Sequence, residues 1–101
     1  MQGTAVGNEF RNDYDIVIDS FREIDIRALT EIPMITIYNK PVDYPGKYVA
    51  RLIGFKDGAP LIFRHIVIKE KLEDLRNSIP DGMVKLRPSE NDDPKIVEIY
   101  I

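Results

Sequence analysis

The chain has 101 residues, a length that suits one domain with a modest single core and no need of disulfides or metal. Apolar residues make up 44% and charged residues 31%, as in soluble globular proteins; the absence of cysteine removes disulfides, thiolate nucleophiles and cysteine-based zinc sites. A net charge of −3 lacks the concentrated positive charge of non-specific nucleic-acid binding, so nucleic acid is disfavoured as a partner.

That charge is unevenly spread. Before Met34 there are 3 basic and 7 acidic residues, and from Met34 onward 11 basic and 10 acidic. The first residues lack the basic and apolar regions of a signal peptide, and no apolar run approaches the roughly 20 residues that span a bilayer. The expectation is a soluble, cytoplasmic protein with no membrane partner.

Residues 1–12 are polar and glycine-containing, an expected frayed end. Between Asp13 and Ile32 two readings compete. Tyr14, Val17, Ile18, Phe21, Ile24, Ala28, Leu29 and Ile32 match one face of a helix capped by Asn12 or Asp13 and closed by Pro33. Against it, 15–19 and 23–27 are β-branched and partly alternate with period two, and the helix leaves Ile16 and Ile26 off its face. The helix is the reading taken. Residues 1–33 are expected to form an acidic, partly disordered extension, and 34–101 an α+β core domain.

Met34 to Tyr38 reads as a strand entering the turn-rich stretch Tyr38-Asn39-Lys40-Pro41-Val42-Asp43-Tyr44-Pro45-Gly46-Lys47-Tyr48. Tyr44-Pro45-Gly46-Lys47 suits a type II turn, with Pro fixing φ at the second position and Gly accepting positive φ at the third. Tyr48–Phe55 and Leu61–Ile68 read as a hairpin joined by the loop Lys56-Asp57-Gly58-Ala59-Pro60, in which Asp57-Gly58 can take the left-handed conformations required. Lys69 to Ser78 follows as a helix whose Leu72, Leu75 and Ile79 stripe should lie on a sheet. Met83–Arg87 and Lys95–Ile101 complete the order as strands, with Val97, Ile99 and Ile101 expected to face the core. The predicted fold is α+β: a mainly antiparallel sheet of about five strands, β-β-β-α-β-β, with one helix packed on it.

Several of these pieces also carry a resemblance. Tyr38-Asn39-Lys40-Pro41, Asp43-Tyr44-Pro45-Gly46-Lys47-Tyr48-Val49-Ala50-Arg51-Leu52, Leu72-Glu73-Asp74-Leu75-Arg76 before Ile79-Pro80, and Asn91-Asp92-Asp93-Pro94-Lys95-Ile96-Val97-Glu98 span about two thirds of the chain. Together they resemble a group of short uncharacterised proteins of Gram-positive bacteria and their phages and mobile elements. Those proteins often begin near the equivalent of Met34. The resemblance implies no activity, only a phage or mobile-element accessory protein.

The candidate chemistry is sparse. His65 is the only histidine, and no local motif gives it a nucleophile or carboxylate. Glu90, Asp92 and Asp93 lack the spacing and central glycine of a calcium loop, so a solvated turn with capping carboxylates explains them better. No catalytic residue, metal or cofactor is assigned. Tyrosines give large contact area at low entropy cost, so Tyr38, Tyr44 and Tyr48 with Lys40, Lys47 and Arg51 form the candidate binding surface; the blander account has the rings pack over the end of the sheet.

The functional expectation is a non-enzymatic accessory protein that binds a host or phage protein. The last strand is expected to offer an edge for homodimer formation by strand addition. Two alternatives stay open. One is an inhibitor of a host nucleic-acid machine using Asp13, Asp15, Asp19, Glu23 and Asp25 as a phosphate mimic. The other is a small enzyme using His65 or the Asp92/Asp93 loop.

Overall fold

A computed structural model describes residues 14–101. Among the described residues six strands form one sheet: β1 (Ile16–Ile18), β2 (Met34–Asn39), β3 (Tyr48–Lys56), β4 (Ala59–Lys69), β5 (Lys85–Leu86) and β6 (Ile96–Tyr100). Two short α-helices accompany them, α1 (Ile26–Leu29) and α2 (Leu72–Arg76), with a 3₁₀ turn at Phe21–Glu23. The order across the sheet is β1-β4-β3-β2-β6-β5. Only the β1–β4 pairing is parallel.

The mixed α/β class and largely antiparallel sheet agree with the sequence, but the strand count rises to six and the N-terminal helix is not there. Of the two readings for 13–32, β-branched alternation prevails over 15–19, where Ile16, Val17 and Ile18 lie against His65, Ile66 and Val67. The rest is a capped 3₁₀ turn and one helical turn. The Ser20 side chain accepts from the Arg22 amide, and the Asp25 side chain accepts from the Arg27 amide. Such caps compete with a continuous helix. The proposed caps Asn12 and Asp13 lie outside the described residues.

Residues 14–33 share the core of the rest. Phe21 is fully buried with Ile35, Ile37, Ala50, Leu52, Val67 and Leu75 on the face covered by α2. The Phe21 amide donates to the Ser78 carbonyl at 3.1 Å, and the Arg22 Nε donates to the Asn77 carbonyl at 2.9 Å. This segment is thereby laced to the end of α2. The Leu72, Leu75 and Ile79 stripe meets the sheet as its spacing predicts, although α2 begins later than expected because β4 runs on to Lys69.

The central hairpin follows its turn residues. Asp57 and Gly58 both have positive φ, 53° and 79°, the geometry of a two-residue type I′ loop. Nearby, Thr30 fastens α1 to β3: its hydroxyl donates to the Phe55 carbonyl at 3.1 Å and accepts from the Phe55 amide at 3.2 Å. Gly54 makes that approach feasible, since a Cβ there would lie 2.7 Å from the Thr30 Cβ and 2.8 Å from the Phe63 ring.

Two expectations for the last strand are corrected. An irregularity at Ile37/Tyr38 pairs Ile37 with Glu98 and Tyr38 with Ile96, leaving Val97 as the extra residue. Glu98 and Tyr100 are therefore buried on the α2 face, while Ile101 is exposed. Val97 packs against the α2-side core as expected, but beyond it the inserted residue reverses the alternation, so Glu98 and Tyr100, not Ile99 and Ile101, face inward. Nor is β6 an edge: it lies between β2 and β5, and the edges are β1 and β5.

Candidate functional site

The loop from Lys40 to Lys47 is a double turn. The Lys40 amide donates to the Lys47 carbonyl at 2.8 Å, closing the loop beyond the Asn39–Tyr48 pair. Inside it the Tyr44 amide bonds the Pro41 carbonyl at 3.0 Å and the Lys47 amide bonds the Tyr44 carbonyl at 3.2 Å. Gly46 takes φ 79°, as the type II turn requires. Lys40 itself has φ 52°, a left-handed conformation uncommon for a side-chain-bearing residue.

Strand alternation then divides the candidate residues between the two faces. Tyr48 packs toward the α2-side core, while Tyr44 joins Val49, Ile66 and Ile68 in a small cluster on the opposite face. Tyr38 and Arg51 share that opposite face, because Tyr38 pairs with Val49 and Arg51 with Thr36 and Ile66.

Arg51 is the hub. It forms a two-pronged pair with Asp15, Nη1 to Oδ1 at 2.8 Å and Nη2 to Oδ2 at 2.9 Å, and Nη2 also reaches Asp43 at 2.9 Å. The Tyr44 hydroxyl donates to Asp15 Oδ2 at 2.9 Å. The Asp15 side chain is 1% exposed and that of Arg51 18% exposed. Hydrogen bonding to Asp15 holds the Arg51 guanidinium above even its ordinary pKa, burial working against it. Burial also raises the Tyr38 hydroxyl, although the nearby Arg51 charge pulls the other way.

The six candidates thus do not make one surface. Tyr44 and Arg51 brace the corner from within, Tyr48 belongs to the other face, and Lys47 pairs with Glu70 at 2.9 Å. Hydrogen bonding to Lys47 lowers the Glu70 pKa. Tyr38 and Lys40 remain at the surface, joined by residues not singled out from sequence. Tyr38, Pro41, Val42, Asp43, Arg51, Asp93 and Lys95 line an open cleft of about 360 Å³, with Val42 81% exposed on its rim. The Lys95 Nζ donates to the Lys40 carbonyl at 3.0 Å, tying the loop to the start of β6.

Three of the five acidic residues proposed as a phosphate mimic have local tasks, and the Glu23 side chain has no hydrogen bond or ion pair among the described residues. Asp15 is engaged by Arg51 and Tyr44, Asp19 pairs with Lys69 at 2.9 Å, and Asp25 caps α1; Asp13 lies outside the described residues. Asp92 accepts from the Ser89 amide at 2.7 Å and Asp93 from the Lys95 amide at 2.9 Å, so both cap turns. His65 is half-buried, with Nδ1 buried and unbonded among the described residues. Among those residues no group of three or more histidines and carboxylates is arranged to hold a metal, and no helix is long and apolar enough to cross a membrane.

A second polar cluster sits at the far side of the sheet. Glu98 accepts from Arg76 Nη2 at 2.6 Å and from the Tyr100 hydroxyl at 2.8 Å, with Lys85 Nζ at 3.8 Å. Burial opposes ionisation of Glu98, but the bonds from Arg76 and Tyr100 outweigh it and lower its pKa. Burial and the bond to Glu98 push Tyr100 up to about 12. The signal available in sequence was a glutamate and a tyrosine alternating in a strand with nearby cations, which reads equally as a solvated face. Comparison of the chain with family models, curated proteins and solved structures gave no match.

Proposed function

We propose that this chain is a small non-enzymatic binding protein that acts through protein–protein contacts at the Lys40–Lys47 corner. The observation that supports this reading is Val42: an apolar side chain held 81% exposed on a loop braced from beneath by Arg51, Asp15 and Tyr44. A rigid loop loses little conformational freedom on binding, and the cleft beside Val42 offers Tyr38 and Arg51, residue types enriched at interface centres. The resemblance of the 34–101 region to phage and mobile-element accessory proteins makes a host or phage protein in the cytoplasm the proposed partner.

The test is affinity capture from host lysate with wild-type chain and a Val42→Asp variant. Val42 has little buried surface, so the substitution should change stability by no more than about 0.5 kcal/mol. Loss of a specific partner by a variant with unchanged melting temperature is the expected result. Recovery of the same partners by both proteins, or of none by the wild type, would count against the corner. Tyr44→Ala is a poor probe because Tyr44 is buried and bonded to Asp15.

A further inference from the structure

We propose that the outer edge of β5 receives an extended acidic segment of a partner protein as an added strand, with its carboxylates opposite Lys85 and Arg87. This site lies at the far end of the sheet order from β1 and does not depend on the corner.

The backbone geometry comes first. Val84 and Ile101 exchange both backbone bonds, at 2.7 and 3.0 Å, and Lys85 and Leu86 lie opposite Tyr100 and Ile99. In an antiparallel ladder the bonded pairs alternate, so Val84 and Leu86 turn their amides and carbonyls toward β6. Lys85 and Arg87 turn theirs outward, where no described residue meets them. An incoming strand would find donors and acceptors at two alternate positions, the requirement for strand addition.

The side chains specify the occupant. Lys85 lies opposite Tyr100, which places it on the α2 face beside Glu98. Arg87 follows on the same face by alternation. Lys85, Leu86, Arg87, Val97 and Glu98 line an open cleft of about 370 Å³. Glu98 is already saturated by Arg76 and Tyr100. Lys85 is 3.8 Å from it and 55% exposed, and Arg87 makes no ion pair among the described residues. Arg76, Lys85 and Arg87 thus stand against the single carboxylate of Glu98, and the edge carries net positive charge on one face and exposed Val84 and Leu86 on the other. A strand alternating carboxylates with apolar residues complements both. A second copy does not, since antiparallel self-pairing would set Lys85 and Arg87 of each copy against the same residues of the other, and like charges directly opposite destabilise a sheet.

The experiment titrates fluorescein-labelled Val-Glu-Val-Glu-Val-Glu-Val with the full chain by fluorescence anisotropy, with the lysine counterpart Val-Lys-Val-Lys-Val-Lys-Val as control. The acidic peptide should bind, more weakly as salt is raised, and slow amide exchange at Lys85 and Arg87. Lys85→Gln with Arg87→Gln should weaken it roughly ten-fold, and Arg87→Gln alone gives the same direction should the double variant fail to fold. No binding of the acidic peptide, equal binding of the lysine peptide, or protection at β1 instead of β5 would overturn the proposal. So would a wild-type dimer in sedimentation with the Lys85 and Arg87 amides protected from exchange in the absence of peptide, because the edge would then belong to a second copy.

Discussion

Replacing Arg51 with Met should be among the most damaging single changes in the chain. Arg51 supplies two of the three hydrogen bonds to Asp15, whose side chain is 1% exposed. Its removal strands a buried carboxylate, an effect that costs about 3–5 kcal/mol where the group cannot reach water. A domain of this size has only about 5–15 kcal/mol in total. With urea m-values of about 1–3 kcal/mol/M, the unfolding midpoint should fall by at least about 1 M. Arg51→Met with Asp15→Leu should cost clearly less than Arg51→Met alone, because the stranded charge is gone and similar volume is restored. The assay is urea unfolding of the four proteins of the cycle, read by tyrosine fluorescence. A loss below about 1 kcal/mol for Arg51→Met would mean that Asp15 reaches water, and the bracing role given to this pair would be wrong.

Gly54→Ala should lower stability by about 1–3 kcal/mol through overpacking against Thr30 and Phe63, a fall of roughly 4–8 °C in melting temperature per kcal/mol. An unchanged melting temperature would refute the close approach of α1 to β3. Tyr100, raised from 10.0 to about 12, contributes stability that is complete below pH 10 and lost as pH rises toward 12. At about 1.4 kcal/mol per unit this is about 2–3 kcal/mol, and superimposable alkaline unfolding curves for wild type and Tyr100→Phe would exclude it. Glu98, lowered from 4.5, has the opposite sign: its contribution is present above pH 4.5 and lost as pH falls through its folded value. Glu98→Gln should flatten part of the acid limb of stability against pH, and an acid limb identical to wild type would argue against the Arg76–Glu98 pair.

The legible parts of this fold were those encoded locally. Asp57-Gly58, Pro45-Gly46 and the Leu72, Leu75, Ile79 stripe each state their geometry within a few residues, and each took the expected form. The first strand could not be read that way, because parallel pairing to a strand far along the chain leaves no adjoining hairpin signal. Val97 packs inward as its alternation predicts, but the facing of β6 beyond it was lost to one extra residue that no alternation rule anticipates. At the corner, tyrosine and lysine content marked the right segment but not which side chains lie inside. That depended on Asp15, 36 positions from Arg51, and on the face to which alternation assigns each residue. Val42, the most exposed apolar tip there, carried no signal beyond its neighbours.

The parallel pairing of β1 with β4 also dictates an order of events. Ile16 must find His65 about fifty positions later, whereas β3 and β4 are joined by a two-residue loop. Closing a long loop costs entropy before its contacts form, so the hairpin can assemble early and β1 must arrive after it. On the ribosome, the first described strand to be made cannot dock until β4 has emerged. Until then Arg51 lacks Asp15, the Tyr44 hydroxyl lacks its carboxylate acceptor, and the flank of β4 stands open. The corner acquires its bracing only when the first of the described strands takes its place.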